Sequence, residues 1–122
     1  MARILVIEDD QDVRAMVVRA LSRAGHEMFE AADGSDGLSV FGLKRPDMVI
    51  TDIFMPGMDG LETTRILLEI DPNLRIMAMS GGGPSQRMEY LEHAQTFGAC
   101  GIIAKPFLPS ELVAKVDEML AS

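Results

Sequence analysis

Tryptophan is absent from this chain of 122 residues, and Tyr90 is its only tyrosine. A flavin would find little to stack on, which argues against a flavodoxin-like cofactor binder. Cysteine occurs once, at Cys100, so no internal disulfide can form and a reducing, cytoplasmic setting is expected. Basic residues are few: 11 Lys and Arg against 19 Asp and Glu leave a formal net charge of −8. That balance speaks against direct nucleic-acid binding, which needs clustered cations. Long apolar runs are missing too. Nothing approaches the roughly 20 residues of a membrane span, and Ile4–Ile7 is too short for a secretory leader. Linkers, internal repeats and low-complexity tracts are also lacking, which points to one domain over residues 1–122. The last helical pattern ends at Leu120 with Ala121-Ser122 after it, so a stand-alone domain without an effector is the expectation.

What is present is a β-α alternation. The apolar runs Ile4–Ile7, Met48–Ile50, Ile76–Met79 and Ile102–Ala104 are short and uninterrupted. That suits strands buried on both faces of a parallel sheet. Glu27–Ala31 is a fifth, less apolar strand. Between them, Val13, Met16, Val17, Ala20, Leu21 and Ala24 recur at helical spacing and stop at Gly25, a C-terminal cap signal. Asp33-Gly34 opens a second helix through Leu43, ended before Pro46. Asp59 and Glu62 have capping-box spacing for a third, through about Glu69. A fourth is expected from Gln86 to Phe97, stopped by Gly98. The last carries Leu112, Val113, Val116 and Leu120, with Pro109 and Glu111 in its first turn. Right-handed crossovers then give a doubly wound, three-layer (βα)5 domain of the α/β class.

Chemistry gathers where the strands end. Glu8-Asp9 follows the first run, Asp52 the third, Ser80 the fourth and Lys105 the fifth. In a parallel sheet these fall at one edge, the C-terminal edge at which open α/β sheets bind ligands. An exposed Asp is ionised at pH 7, its reference pKa being about 3.9, so Asp52 needs no base to act as a nucleophile. A divalent cation held by Glu8, Asp9 and Asp52 would remove the repulsion from an anionic phosphoryl donor. Lys105 would neutralise a phosphoryl oxygen, and the Ser80 hydroxyl would donate to another. Taken singly each residue has a plainer reading. Asp10 reads best as a helix cap, Asp52 and Ser80 fit turn starts, and Lys105 fits a surface lysine. The set as a whole favours magnesium-dependent phosphoryl transfer to Asp52. Pro106 makes a cis peptide after Lys105 accessible.

At these residues the chain resembles the receiver domain of bacterial two-component response regulators, in its stand-alone, chemotaxis-receiver form. The matching motifs are Ile4-Leu5-Val6-Ile7-Glu8-Asp9-Asp10, Thr51-Asp52 with Met55-Pro56-Gly57-Met58-Asp59-Gly60, Ser80, and Gly98-Ala99 leading to Lys105-Pro106-Phe107. The resemblance implies a flavodoxin-like sheet of order 2-1-3-4-5, which periodicity alone does not give. It implies Asp52 as the phosphoacceptor, fed by a sensor histidine kinase or a histidine phosphotransfer protein. Asp9 is similar to the family's direct Mg²⁺ ligand (Mn²⁺ substituting), with the Phe54 main-chain carbonyl as another and Glu8 assisting through water. Ser80 matches the switch hydroxyl, and Lys105 the lysine that pairs with the acids before bonding the phosphoryl group. Phosphorylation then shifts a pre-existing equilibrium. The loop after Ser80 moves, with the face of the last two helices and last strand, and a downstream protein target reads it. A monomer or weak dimer is expected.

Three positions depart from the common pattern. Ile102 stands where many receivers carry Tyr or Phe, so an aromatic swing is lost and helix movement carries more of the signal. Gly81-Gly82-Gly83 reads as a hinge. Phe54 would obstruct a hydrolytic water and lengthen the phospho-Asp lifetime. Phe54 also removes the second acid of a D-x-D phosphatase, which makes steady turnover unexpected. His26 and His93 lack metal-ligand spacing. A receiver-shaped interaction module that takes no phosphate is the remaining alternative.

Overall fold

Hydrogen bonds between the apolar runs assemble one parallel sheet. The computed structural model describes residues 1–52, 60–80 and 101–121. Its strands are β1 (Arg3–Ile7), β2 (Glu27–Ala31), β3 (Met48–Asp52), β4 (Arg75–Ser80) and β5 (Gly101–Ala104), in the order β2-β1-β3-β4-β5. Every pairing is parallel. Helices α1 (Gln11–Arg23), α2 (Gly34–Lys44), α3 (Gly60–Ile70) and the C-terminal helix (Pro109–Ala121) pack on it. The helix expected over Gln86–Phe97, the Asp59 cap, the glycine loop, Phe54, Tyr90, His93 and Cys100 all lie outside the described residues.

Alternation within each run explains its lack of polar residues. Ile4 and Val6 of β1 with Met48 and Ile50 of β3 join Val17 and Leu21 of α1 and Leu112, Val116 and Met119 of the C-terminal helix. Leu5, Ile7 and Val49 point the other way, to Phe41 of α2 and Leu67 of α3. Neither face of these strands meets water, so both sets must be apolar. Each such side chain contributes about 2 kcal/mol by leaving water. Among the described methionines, Met48, Met77, Met79 and Met119 are core residues, while Met1 is exposed.

Helix ends follow local chemistry. Asp10 caps α1, its Oδ1 accepting from the amides of Asp12 at 2.9 Å and Val13 at 3.2 Å. Past the far end, Gly25 takes a φ of +96°, which glycine adopts freely. Asp33 caps α2 through the Asp36 amide at 2.8 Å. The other end of α2 is less ordinary, since Arg45 takes the left-handed conformation at φ 47°. A side chain there costs about 1 kcal/mol, and the Arg45 guanidinium lies 5.2 Å from the Phe41 ring centre. The least apolar run, Glu27–Ala31, forms one of the two edge strands, and its exposed Glu27 and Glu30 discourage further pairing.

Register sets up the site. Ile7 is level with Thr51, Asp52 with Met79, and Ser80 with Ala104. Glu8, Asp9, Asp52 and Lys105 therefore rise from one edge of the sheet.

Candidate functional site

Three carboxylates and one ammonium meet at the C-terminal edge. Glu8 is fully buried, Asp52 is 5% exposed and Asp9 is open to solvent. One oxygen from each of the three lies within 4.8 Å of the others. Lys105 Nζ donates to Asp52 Oδ2 at 3.0 Å and also bonds Glu8 Oε1. The lysine comes from beyond β5, with β4 between it and Asp52. Strands lie about 4.8 Å apart, so a long side chain is needed to cross β4. The Lys105–Pro106 peptide is cis.

The expectation of an exposed Asp52 is corrected here. Its backbone still belongs to β3, and packing of the sheet edge closes over it. Lys105 supplies the counter-charge that solvent would otherwise provide. Burial pushes the Glu8 carboxyl up to about 8, and its hydrogen bond to Asp52 adds to the rise while Lys105 opposes it. Burial alone would lower the Lys105 ammonium. Its hydrogen bonds to Glu8 and Asp52 outweigh that and hold it above the ordinary lysine value.

The donor set is all oxygen, which suits a hard cation. Two oxygens on opposite sides of Mg²⁺ lie about 4.2 Å apart, from a metal–oxygen distance of about 2.1 Å. Three oxygens within 4.8 Å of one another approach that spacing, so these residues could hold the ion, directly or through a water.

Other residues named from sequence fall as follows. Asp10 does cap α1 and takes no place among the clustered acids. Ser80 closes β4 opposite Ala104, and its hydroxyl lies outside the described atoms. Ile102 is a half-buried β5 residue level with Ala78. Phe54 and its carbonyl lie outside the described residues. His26 is structural: its Nδ1 accepts from the Ala2 amide at 3.1 Å. Sequence reasoning passed over Arg14, whose Nη1 donates to the Glu8 carbonyl at 2.7 Å. No local sequence signal marks this bond, which joins the helix to the residue that follows β1.

Strand order and acidic edge define the class, a flavodoxin-like α/β domain with three clustered carboxylates at the C-terminal edge of its sheet. Residues 4–117 match the family model described as the response regulator receiver domain. The chain is 30% identical to sporulation initiation phosphotransferase F of Bacillus subtilis, over 97% of its own length and 93% of the relative's. It is 33% identical to the response regulator receiver protein CpdR of Brucella abortus, over 98% of each. Against other relatives, such as the probable transcriptional regulator ycf27 of Cyanophora paradoxa, it spans about half their length. Among solved structures, the receiver domain of NtrX from Brucella abortus superimposes with a TM-score of 0.91 at 31% identity, covering 98% of both chains. Chemotaxis response regulator CheY4 of Vibrio cholerae gives 0.86 at 30%, again over 98% of both. The chain belongs to the receiver domain family, the phosphoacceptor domains of two-component signalling systems. That family is one of signalling domains. No helix among the described residues is long and apolar enough to cross a membrane.

Proposed function

We propose that Asp52 is the phosphoacceptor and that phosphohistidine, on a sensor histidine kinase or histidine phosphotransfer protein, is the donor. One observation carries this reading: Lys105 bonds both Asp52 and Glu8 at the sheet edge, with Asp9 beside them. An Asp52 oxygen attacks phosphorus as the donor's N–P bond breaks, its electron pair leaving with the imidazole nitrogen. Lys105 holds the carboxylate in place before transfer and then faces the phosphoryl oxygens. Ser80 donates to another of those oxygens. Asp9, Asp52 and the Phe54 carbonyl would hold Mg²⁺ (or Mn²⁺), with Glu8 acting through water. When bound, the ion offsets the repulsion between the acids and the anionic donor. The domain thus assists only its own phosphorylation and dephosphorylation, and Phe54 slows the latter by screening the phosphoryl group from water. Output runs through residues 86–97, β5 and the C-terminal helix to a protein target in the cytoplasm. Ile102 fills its strand position without an aromatic swing.

Intact mass after incubation with a small phosphodonor and Mg²⁺ tests the assignment. Wild type is expected to gain one phosphoryl group; Asp52→Ala and EDTA-treated wild type are expected to gain none. A folded, Mg²⁺-binding wild type that gains nothing would point instead to an interaction module.

A further inference from the structure

Arg14 reaches from the first turns of α1 to two acceptors outside its own helix. Its Nη1 donates to the Glu8 carbonyl at 2.7 Å, and its Nε to Glu30 Oε1 at 3.2 Å. Its side chain is 18% exposed, whereas that of Glu30 is 52% exposed. Arg14 and Glu30 together line an open cleft of about 350 Å³ with Ala31, Ala32, Ser39 and Val40. An exposed ion pair alone would be worth little, so the shorter bond, to the carbonyl, is the informative one.

That carbonyl belongs to the peptide joining Glu8 to Asp9. A peptide unit is planar, so fixing its oxygen also fixes the direction of the Asp9 amide and the start of the Asp9 residue. The flanks are tied already. The Glu8 amide donates to Ala31 at 3.0 Å, and the Asp10 carbonyl accepts from the Arg14 amide at 2.9 Å. Arg14 thus completes the restraint of the segment whose exposed member, Asp9, is the acid least held by packing.

We infer that Arg14 is a positioning residue for the cation pocket, orienting the Glu8–Asp9 peptide so that Asp9 meets the ion. The inference rests on the Mg²⁺ role proposed above. Partners that orient metal ligands typically change metal affinity 10- to 100-fold when removed.

Calorimetric titration of Mg²⁺ into wild type, Arg14→Ala and Arg14→Lys tests it. Arg14→Ala is expected to raise the dissociation constant about tenfold. Arg14→Lys keeps the charge but cannot serve both acceptors, and is expected to show at least a threefold rise, about a third of that effect. Phosphorylation by a small donor should recover in both variants at saturating Mg²⁺, which a loss of the nucleophile would not allow. Dissociation constants within twofold of wild type, in whichever variant is folded by circular dichroism, overturn the inference and leave the proposed function standing. Absence of Mg²⁺ binding by wild type itself overturns both.

Discussion

Charge is handled differently at the two ends of the β-sheet. At the N-terminal end, Arg3 pairs with Glu27 at 3.6 Å, both side chains being more than two-fifths exposed. The Arg3 amide donates to Asp47 Oδ2 at 2.9 Å. These contacts sit where β1 and β2 come into register, and water shares their charge. At the C-terminal end, Glu8 and Asp52 are buried against each other with Lys105 between them. Two acids and one base in that setting oppose folding unless protons or cations balance them. The first arrangement fastens the fold. The second carries a cost in stability, which the proposed binding of a cation and a phosphoryl group would offset.

Removing Lys105 should break this contrast most severely. Lys105→Met leaves Glu8 and Asp52 buried without their cation, and losing one partner of a buried ionic group costs about 3 kcal/mol. Urea unfolding in EDTA at pH 7 reads it directly. A loss below 1 kcal/mol would mean that solvent already screens the pocket, and the comparison would fail.

A smaller effect comes from pH. Glu8 titrates at 4.5 when unfolded and at about 8 when folded, so the folded chain binds the proton more tightly. Its contribution is therefore fully present below about pH 4.5 and is lost as pH rises through about 8. Metal-free protein should lose on the order of 2 kcal/mol across that window, less than full linkage because Lys105 relaxes with the charge. Glu8→Gln should flatten the slope. Melting temperatures in EDTA at several pH values decide it, and an equal slope in the variant would remove Glu8 as the cause.

Much of this was legible in the sequence because its causes are local. Asp10 reads as a cap from its place before an amphipathic run, and it caps α1 through the very next amides. Ile4–Ile7 reads as doubly buried because no polar residue interrupts it, and two separate core clusters divide it between them. The grouping of Asp9, Asp52 and Lys105 followed from parallel strands sharing one C-terminal edge, whereas the strand order came from motif resemblance, since spacing does not say which strands adjoin. What stayed hidden depends on distances across the fold. Burial of Asp52 follows from how the finished edge closes. The Arg14 bond needs α1 laid back over the end of β1. Arg45 at φ 47° was unreadable for another reason: a glycine or asparagine would have signalled that conformation, and arginine does not.

Arg3→Ala is the mildest probe and the best control for the N-terminal end. The exposed pair with Glu27 should be worth about 0.5 kcal/mol. The Arg3 guanidinium also lies 5.1 Å from the Phe29 ring centre, which at a partly exposed site adds a comparable amount. The amide bond to Asp47 survives the substitution because it uses the main chain. Urea unfolding should therefore show a loss of about 1 kcal/mol, with Mg²⁺ affinity and phosphoryl gain unchanged. Because β1 carries Arg3 at one end and leads into Glu8 at the other, a change in Mg²⁺ affinity would show that strain passes along the strand. The two ends would then be coupled, and the division of labour between them would have to be abandoned.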